Sequence, residues 1–133
     1  MRTLRLVLSA VLLLASAACQ RDTFSPHESG PLAFDATRET GGIRLVNNTG
    51  RPVAYFAIES NTATLALWGA CADPGPDCLR LPAGASTVIP LADVAGYEPG
   101  ARSAIVYWWH VVPDPSAERG YRVTEIRSVV VEL

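Results

Sequence analysis

Beyond residue 42 the chain alternates apolar and polar positions in short runs, each closed by turn-forming residues. A period of two is the mark of half-buried β-strands. Ile43 to Asn47 and Val53 to Glu59 are two such runs. Asn47-Asn48-Thr49-Gly50 separates them, and Asn and Gly tolerate positive φ, so the pair reads as a hairpin. In Thr62 to Trp68, Ala63, Leu65 and Leu67 alternate with Thr62, Thr64, Ala66 and Trp68, which predicts a third strand. Cys71 to Cys78 encloses the helix-forbidding Asp73-Pro74-Gly75-Pro76-Asp77 loop. Cys78 to Leu81 and the Pro82-Ala83-Gly84-Ala85 turn lead into a strand from Ser86 to Leu91, with Pro90 at its end or on an edge.

Ser103 to Val112 is the clearest strand. Ile105, Tyr107, Trp109 and Val111 fall on one face, and Val106, Trp108, His110 and Val112 on the other. Both faces are apolar, which predicts a central strand covered on both sides. Adjacent tryptophans on opposite faces cannot share one core: one packs between sheets, and the other needs a loop, a tether or a partner. Tyr121 to Leu133 is the last strand. Its polar positions change faces near Ser128, which predicts a bulge or a change of partner. Six or seven short strands in about 90 residues predict an all-β domain, a small antiparallel Ig-like β-sandwich, with a small β-barrel as the alternative.

The N-terminus follows a different pattern. Arg2 and Arg5 precede an apolar run from Leu6 to Ala15, and Ser16, Ala17 and Ala18 are small. The run is too short for a spanning helix, which needs roughly 20 residues, and has the layout of a cleaved export signal. Ser16-Ala17-Ala18-Cys19 resembles the lipobox of bacterial lipoproteins, with Ser16 in place of the usual leucine. That resemblance implies cleavage before Cys19, a diacylglyceryl thioether on its sulfur and a further palmitate-type acyl chain. Gln20, rather than Asp, follows the cysteine, which by the same resemblance favours the outer membrane over the inner. Ordinary cleavage after Ala15-Ser16-Ala17 is the rival. The cysteines agree with the lipoprotein: with Cys19 lipidated, Cys71 and Cys78 remain as an even pair for an oxidising compartment. The expected organisation is a signal over residues 1–18, a lipidated cysteine and flexible tether over 19–42, in which Leu32 and Phe34 could dock as an edge strand, and the β-sandwich over 43–133.

Cleavage before Cys19 leaves 115 of the 133 residues, with 9 basic side chains against 13 acidic ones and a net charge near −4. Such a chain has no overall electrostatic attraction for nucleic acid or an anionic lipid surface. Every basic side chain is arginine. Bidentate anion recognition is one reading of that; compositional bias is the other, and the scatter of the arginines along the sequence favours it.

Chemistry-bearing motifs are sparse. His27 lies in the expected tether, and His110 follows the tryptophan pair. His110 reads as a general base, a metal ligand or a histidine seated among aromatics. Cys71, Cys78 and His110 are too few for a structural zinc site, and neither a metal nor an organic cofactor is expected. Asp73 and Asp77 flank the proline-rich loop and read as a solvated acidic turn rather than a calcium site. Trp68, Trp108 and His110 are the candidate binding face, since exposed tryptophans are frequent contact hot spots. The expected function is a membrane-anchored envelope lipoprotein with a non-enzymatic binding or scaffolding domain. Its partners would be the membrane, through lipid on Cys19, and an envelope protein or glycan. Two alternatives stand beside it. One is an anchored inhibitor resembling the periplasmic lysozyme inhibitors in size and architecture alone, and the other is a small hydrolase built on His110.

Overall fold

In the computed structural model, which describes residues 33–71 and 78–133, the period-two runs become the strands of two open antiparallel sheets. One holds β1 (Phe34–Glu39), β2 (Gly42–Asn47) and β5 (Ser86–Pro90), in the order β1-β2-β5. The other holds β3 (Val53–Glu59), β4 (Arg80–Leu81), β6 (Ser103–Trp109) and β9 (Arg127–Glu132), in the order β4-β3-β6-β9. A short ribbon pairs β7 (Val111–Pro113) with β8 (Tyr121–Val123). Neither large sheet closes on itself, so the domain is a sandwich and not a barrel. In immunoglobulin lettering the sheets read A-B-E and C′-C-F-G, the expected Ig-like arrangement. The characteristic disulfide between strands B and F is replaced: Cys71–Cys78 bridges the connection from β3 to β4, outside the sandwich.

Alternation decides which side chains form the core. Phe34 and Ala36 of β1, Ile43 and Leu45 of β2 and Ile89 of β5 meet Val53 and Ala57 of β3, Ala104, Val106 and Trp108 of β6 and Val131 of β9. Phe34 stacks on Trp108, with ring centroids 5.1 Å apart, and joins the sheets at one end. On the opposite face of the four-stranded sheet, Ala54 and Trp109 form a second, smaller core with Cys78. Phe56, Trp68, Tyr107 and Cys71 pack against it. The central strand is thus covered on both faces, with Trp108 between the sheets and Trp109 beneath the disulfide-bonded connection.

Four features differ from the sequence expectation. The fold begins ahead of residue 43, because Phe34–Glu39, assigned to the tether, is a full strand whose Phe34 and Ala36 enter the core. The Thr40-Gly41 pair, with Gly41 at φ 81°, then turns the chain into β2. The runs Ile43–Asn47 and Val53–Glu59 are strands but not a hairpin: β2 pairs with β1 and β5, whereas β3 pairs with β4 and β6. Thr62–Trp68 is not a strand. A helical turn, Ser60–Ala63, opens the segment, and its alternating leucines point outward, with Leu65 87% and Leu67 105% exposed. Finally, Ser103–Val112 and Tyr121–Leu133 each break once. Between the pairs Trp108↔Arg127 and Val111↔Val123, residues 109 and 110 lie opposite residues 124–126. That extra residue is a β-bulge, the irregularity expected near Ser128, and it lies two to four residues earlier.

Asn47 explains the missing hairpin. It is fully buried, and its Nδ2 donates to the carbonyl oxygens of Arg51 (2.9 Å), Leu81 (3.0 Å) and Pro82 (3.0 Å). Its Oδ1 accepts from the backbone N–H of Thr49 (2.9 Å) and the Thr49 hydroxyl (2.6 Å). One side chain therefore shapes the crossing from sheet to sheet and ties it to the end of β4. Because this buried amide satisfies three carbonyls at once, Asn47→Ala should lower stability by about 2–4 kcal/mol. A drop in the urea midpoint with an unchanged m-value would report it.

Candidate functional site

The candidate face does not exist as one surface. Trp68 and Trp108 lie on opposite sides of the four-stranded sheet. Trp68 packs on Tyr107 (centroids 4.3 Å apart), Phe56 (5.4 Å) and Trp109 (6.1 Å). Trp108 is 6% exposed, held between Phe34 and the Arg127 guanidinium, whose central carbon stands 5.4 Å from the ring centroid. Consecutive strand residues point to opposite faces, so no contact surface presents both rings. Replacing Trp108 by Ala would cost about 3–5 kcal/mol, which makes it a stability variant rather than a binding variant.

His110 is different. It stands at the bulge where the chain leaves the four-stranded sheet and enters β7. Thr124 satisfies its backbone: the His110 N–H donates to the Thr124 hydroxyl (2.9 Å), and the Thr124 N–H donates to the His110 carbonyl (3.0 Å). The ring stands edge-on to Trp108, with centroids 6.0 Å apart, and its Nδ1 lies 3.0 Å from the Pro52 carbonyl oxygen. A carbonyl only accepts, so Nδ1 carries the proton. In the neutral ring Nε2 is then the acceptor.

Two clefts meet at this histidine. One, of about 280 Å³, has an apolar floor of Pro52, Val111, Val112 and Pro113, with Arg51 and Arg80 beside it; Val53 and Ala54 border it but are buried in the two cores. The other, of about 380 Å³, lies between Ala33, Thr49, Thr124 and Arg127. Arg51 and His110 border both clefts. Arg127 is partly committed, to the Trp108 ring and to Glu125 at 3.6 Å. The guanidinium groups of Arg51 and Arg80 make no ion pair with any acid among the described residues. Neither arginine stands out in the sequence. The only signal is that Arg51 follows the Asn47 turn and Arg80 precedes Pro82; their proximity depends on β4 pairing with β3, Ala54 lying opposite Arg80.

The carboxylates with the strongest local environments serve the backbone. Glu59 ends β3 and caps the helical turn. Its Oε1 accepts from the Asn61 N–H (3.0 Å), and its Oε2 from the Thr62 N–H (2.8 Å) and the Thr62 hydroxyl (3.0 Å). The Asn61 and Thr62 amides hold the Glu59 carboxyl below its ordinary value of 4.5. Asp114 accepts from the Ser116 hydroxyl (2.6 Å) and N–H (2.9 Å) at the β7–β8 turn, and those bonds hold its carboxyl low as well. Among the described residues no three His, Cys, Asp or Glu side chains gather as a metal site. Cys19, His27, Asp73 and Asp77 lie outside the described residues. The Cys71–Cys78 disulfide is formed, and the Trp109 indole N–H donates to the Cys71 carbonyl at 3.0 Å.

Comparison with protein-family models, with curated proteins and with solved structures finds no match. The site therefore rests on its own geometry. Glu59 supplies a test of that geometry through pH. A depressed folded-state value stabilises above the unfolded value and is lost as pH falls through the folded one. Urea unfolding should show the wild type weakening as pH drops below about 4.5, while Glu59→Gln, already deprived of the charged cap, should be less stable at neutral pH and show a shallower acid slope. Identical slopes in the two proteins would remove Glu59 as a pH-dependent cap.

Proposed function

We propose that the protein is a lipid-anchored envelope lipoprotein whose β-sandwich works by binding rather than catalysis, with its contact surface at the His110 end. The observation that carries the anchor is the short cationic, apolar and small-residue sequence ending in Cys19. The Cys71–Cys78 disulfide supports it, since such bonds persist in exported proteins and are rare in a reducing cytosol. Two acyl chains hold a protein stably on a bilayer, at roughly 0.8 kcal/mol per buried methylene. Intact-mass analysis of the membrane-extracted protein should show a mature chain beginning at Cys19 with diacylglyceryl and acyl mass added. Cys19→Ser should lose those additions and leave the membrane fraction. An unmodified chain beginning at Ala18 would instead establish ordinary secretion.

Binding is favoured over hydrolysis because the polar groups bordering the His110 clefts are arginines, hydroxyls and a Glu125 already paired with Arg127, and because the carboxylates Glu59 and Asp114 cap backbone. The His110 end also keeps its apolar floor open, whereas the tryptophans are spent on packing. In-cell cross-linking of the full-length chain should trap an envelope component that His110→Ala loses at unchanged thermal stability. Retention of the same products by the variant would move the contact surface elsewhere.

A further inference from the structure

The arginines that look scattered along the sequence are gathered by the fold, and their placement indicates what the His110 end is for. Arg51, Arg80 and His110 border one cleft, and Arg51, His110 and Arg127 border the next. A chain with more acidic than basic side chains thus concentrates cations at one end of its sandwich. Among the described residues Glu125 is the one acid lining these clefts, and it is engaged with Arg127 at 3.6 Å. Arg51 and Arg80 have no acidic partner among the described residues. Unpaired guanidinium groups on neighbouring walls repel each other, and an anion between them relieves that repulsion. Their fork of donors suits a phosphate, which they can grip bidentately. The floor beneath them is apolar, so the ligand has a hydrocarbon part as well as a charge.

The entry of the chain supplies the second observation. Ala33, the first described residue, lines the second cleft beside Arg51 and Arg127. The described domain therefore begins at the lip of the cationic end. We propose that this end binds the phosphate headgroup of an anionic phospholipid in the same membrane that holds the anchor, with Arg51 and Arg80 on the phosphate and Pro52, Val111 and Val112 against the adjoining apolar part. The proposal rests on the anchored, binding reading above. It refines the charge argument from the whole chain, because a net negative domain can still present a local cationic site.

Native mass spectrometry of the full-length mature protein in a nonionic detergent tests it directly. With equimolar dihexanoyl phosphatidic acid and dihexanoyl phosphatidylcholine, the expected adduct is the phosphatidic acid, by at least tenfold. The R51Q/R80Q double variant should reduce that adduct at least tenfold, and R102Q, which removes an arginine elsewhere, should leave it unchanged. Equal adducts of the two lipids, or equal losses in R51Q/R80Q and R102Q, would overturn the proposal. So would displacement of the lipid by an equal concentration of inorganic phosphate, which would make the apolar floor irrelevant. Circular dichroism melting of R51Q/R80Q separates lost binding from lost folding. The same spectra report the mass on Cys19, so an absent anchor and an absent headgroup site are read independently. Envelope cross-links lost in His110→Ala alongside absent phosphatidic acid adducts would preserve the binding reading and reject the headgroup.

Discussion

Burial of β6 on both faces is the constraint on which the domain depends. A strand carrying Trp108 and Trp109 side by side must find two apolar environments, one for each direction of the pleat. The sandwich provides the first: Trp108 lies among residues of both sheets and stacks on Phe34. A domain of this size has little left with which to build a third sheet layer over the outer face. It uses the connection from β3 to β4 instead, fastening it with Cys71–Cys78 and laying Trp68 across Tyr107 and Trp109. In the chain-entropy description a loop of eight residues contributes about 2.5 kcal/mol, a substantial share of a net stability of about 5–15 kcal/mol.

What the sequence revealed follows from which interactions are local. Period-two alternation is local, and Val53–Glu59 and Ser86–Pro90 are read almost to the residue. The two-sided cover of Ser103–Trp109 is equally legible, because adjacent tryptophans can be accommodated in few ways. Partnership is not local. The Asn47 turn has hairpin chemistry in its first few residues, yet its side chain is satisfied by Leu81 and Pro82, more than thirty positions away. The Thr62–Trp68 alternation fails for a related reason. Glu59 caps a helical turn at Ser60, and the segment then serves to deliver Trp68 to the outer face rather than to pair with a neighbour. Phe34–Glu39 is only half legible: Phe34 reads as part of a candidate edge strand, but the surrounding glycines and prolines mask its full length, although Phe34 and Ala36 carry the alternation.

The candidate site shows the same division. His110 is conspicuous in sequence because histidine is rare in this chain, and the structure places it at an accessible end. Trp68 and Trp108 are conspicuous too, but they are structural: aromatic rings signal large buried area before they signal recognition. The arginines are the reverse case. None of them sits in a motif, and Arg51 and Arg80 approach one another only because a two-residue strand, β4, pairs with the start of β3. Scatter in sequence is therefore a poor argument against a cationic site in a β-sandwich, where neighbours in space come from different strands.

The hydrogen bond from the Trp109 indole to the Cys71 carbonyl links the disulfide to the plate it covers. In evolutionary terms the staple and the tryptophan form one character. Loss of either cysteine frees the cover and leaves Trp109 exposed, while loss of Trp109 leaves the staple nothing to hold in place. Substitutions at such mutually dependent positions are non-additive, so the second loss harms the fold less than the first. A lineage that gives up the disulfide has little reason to keep a tryptophan at position 109.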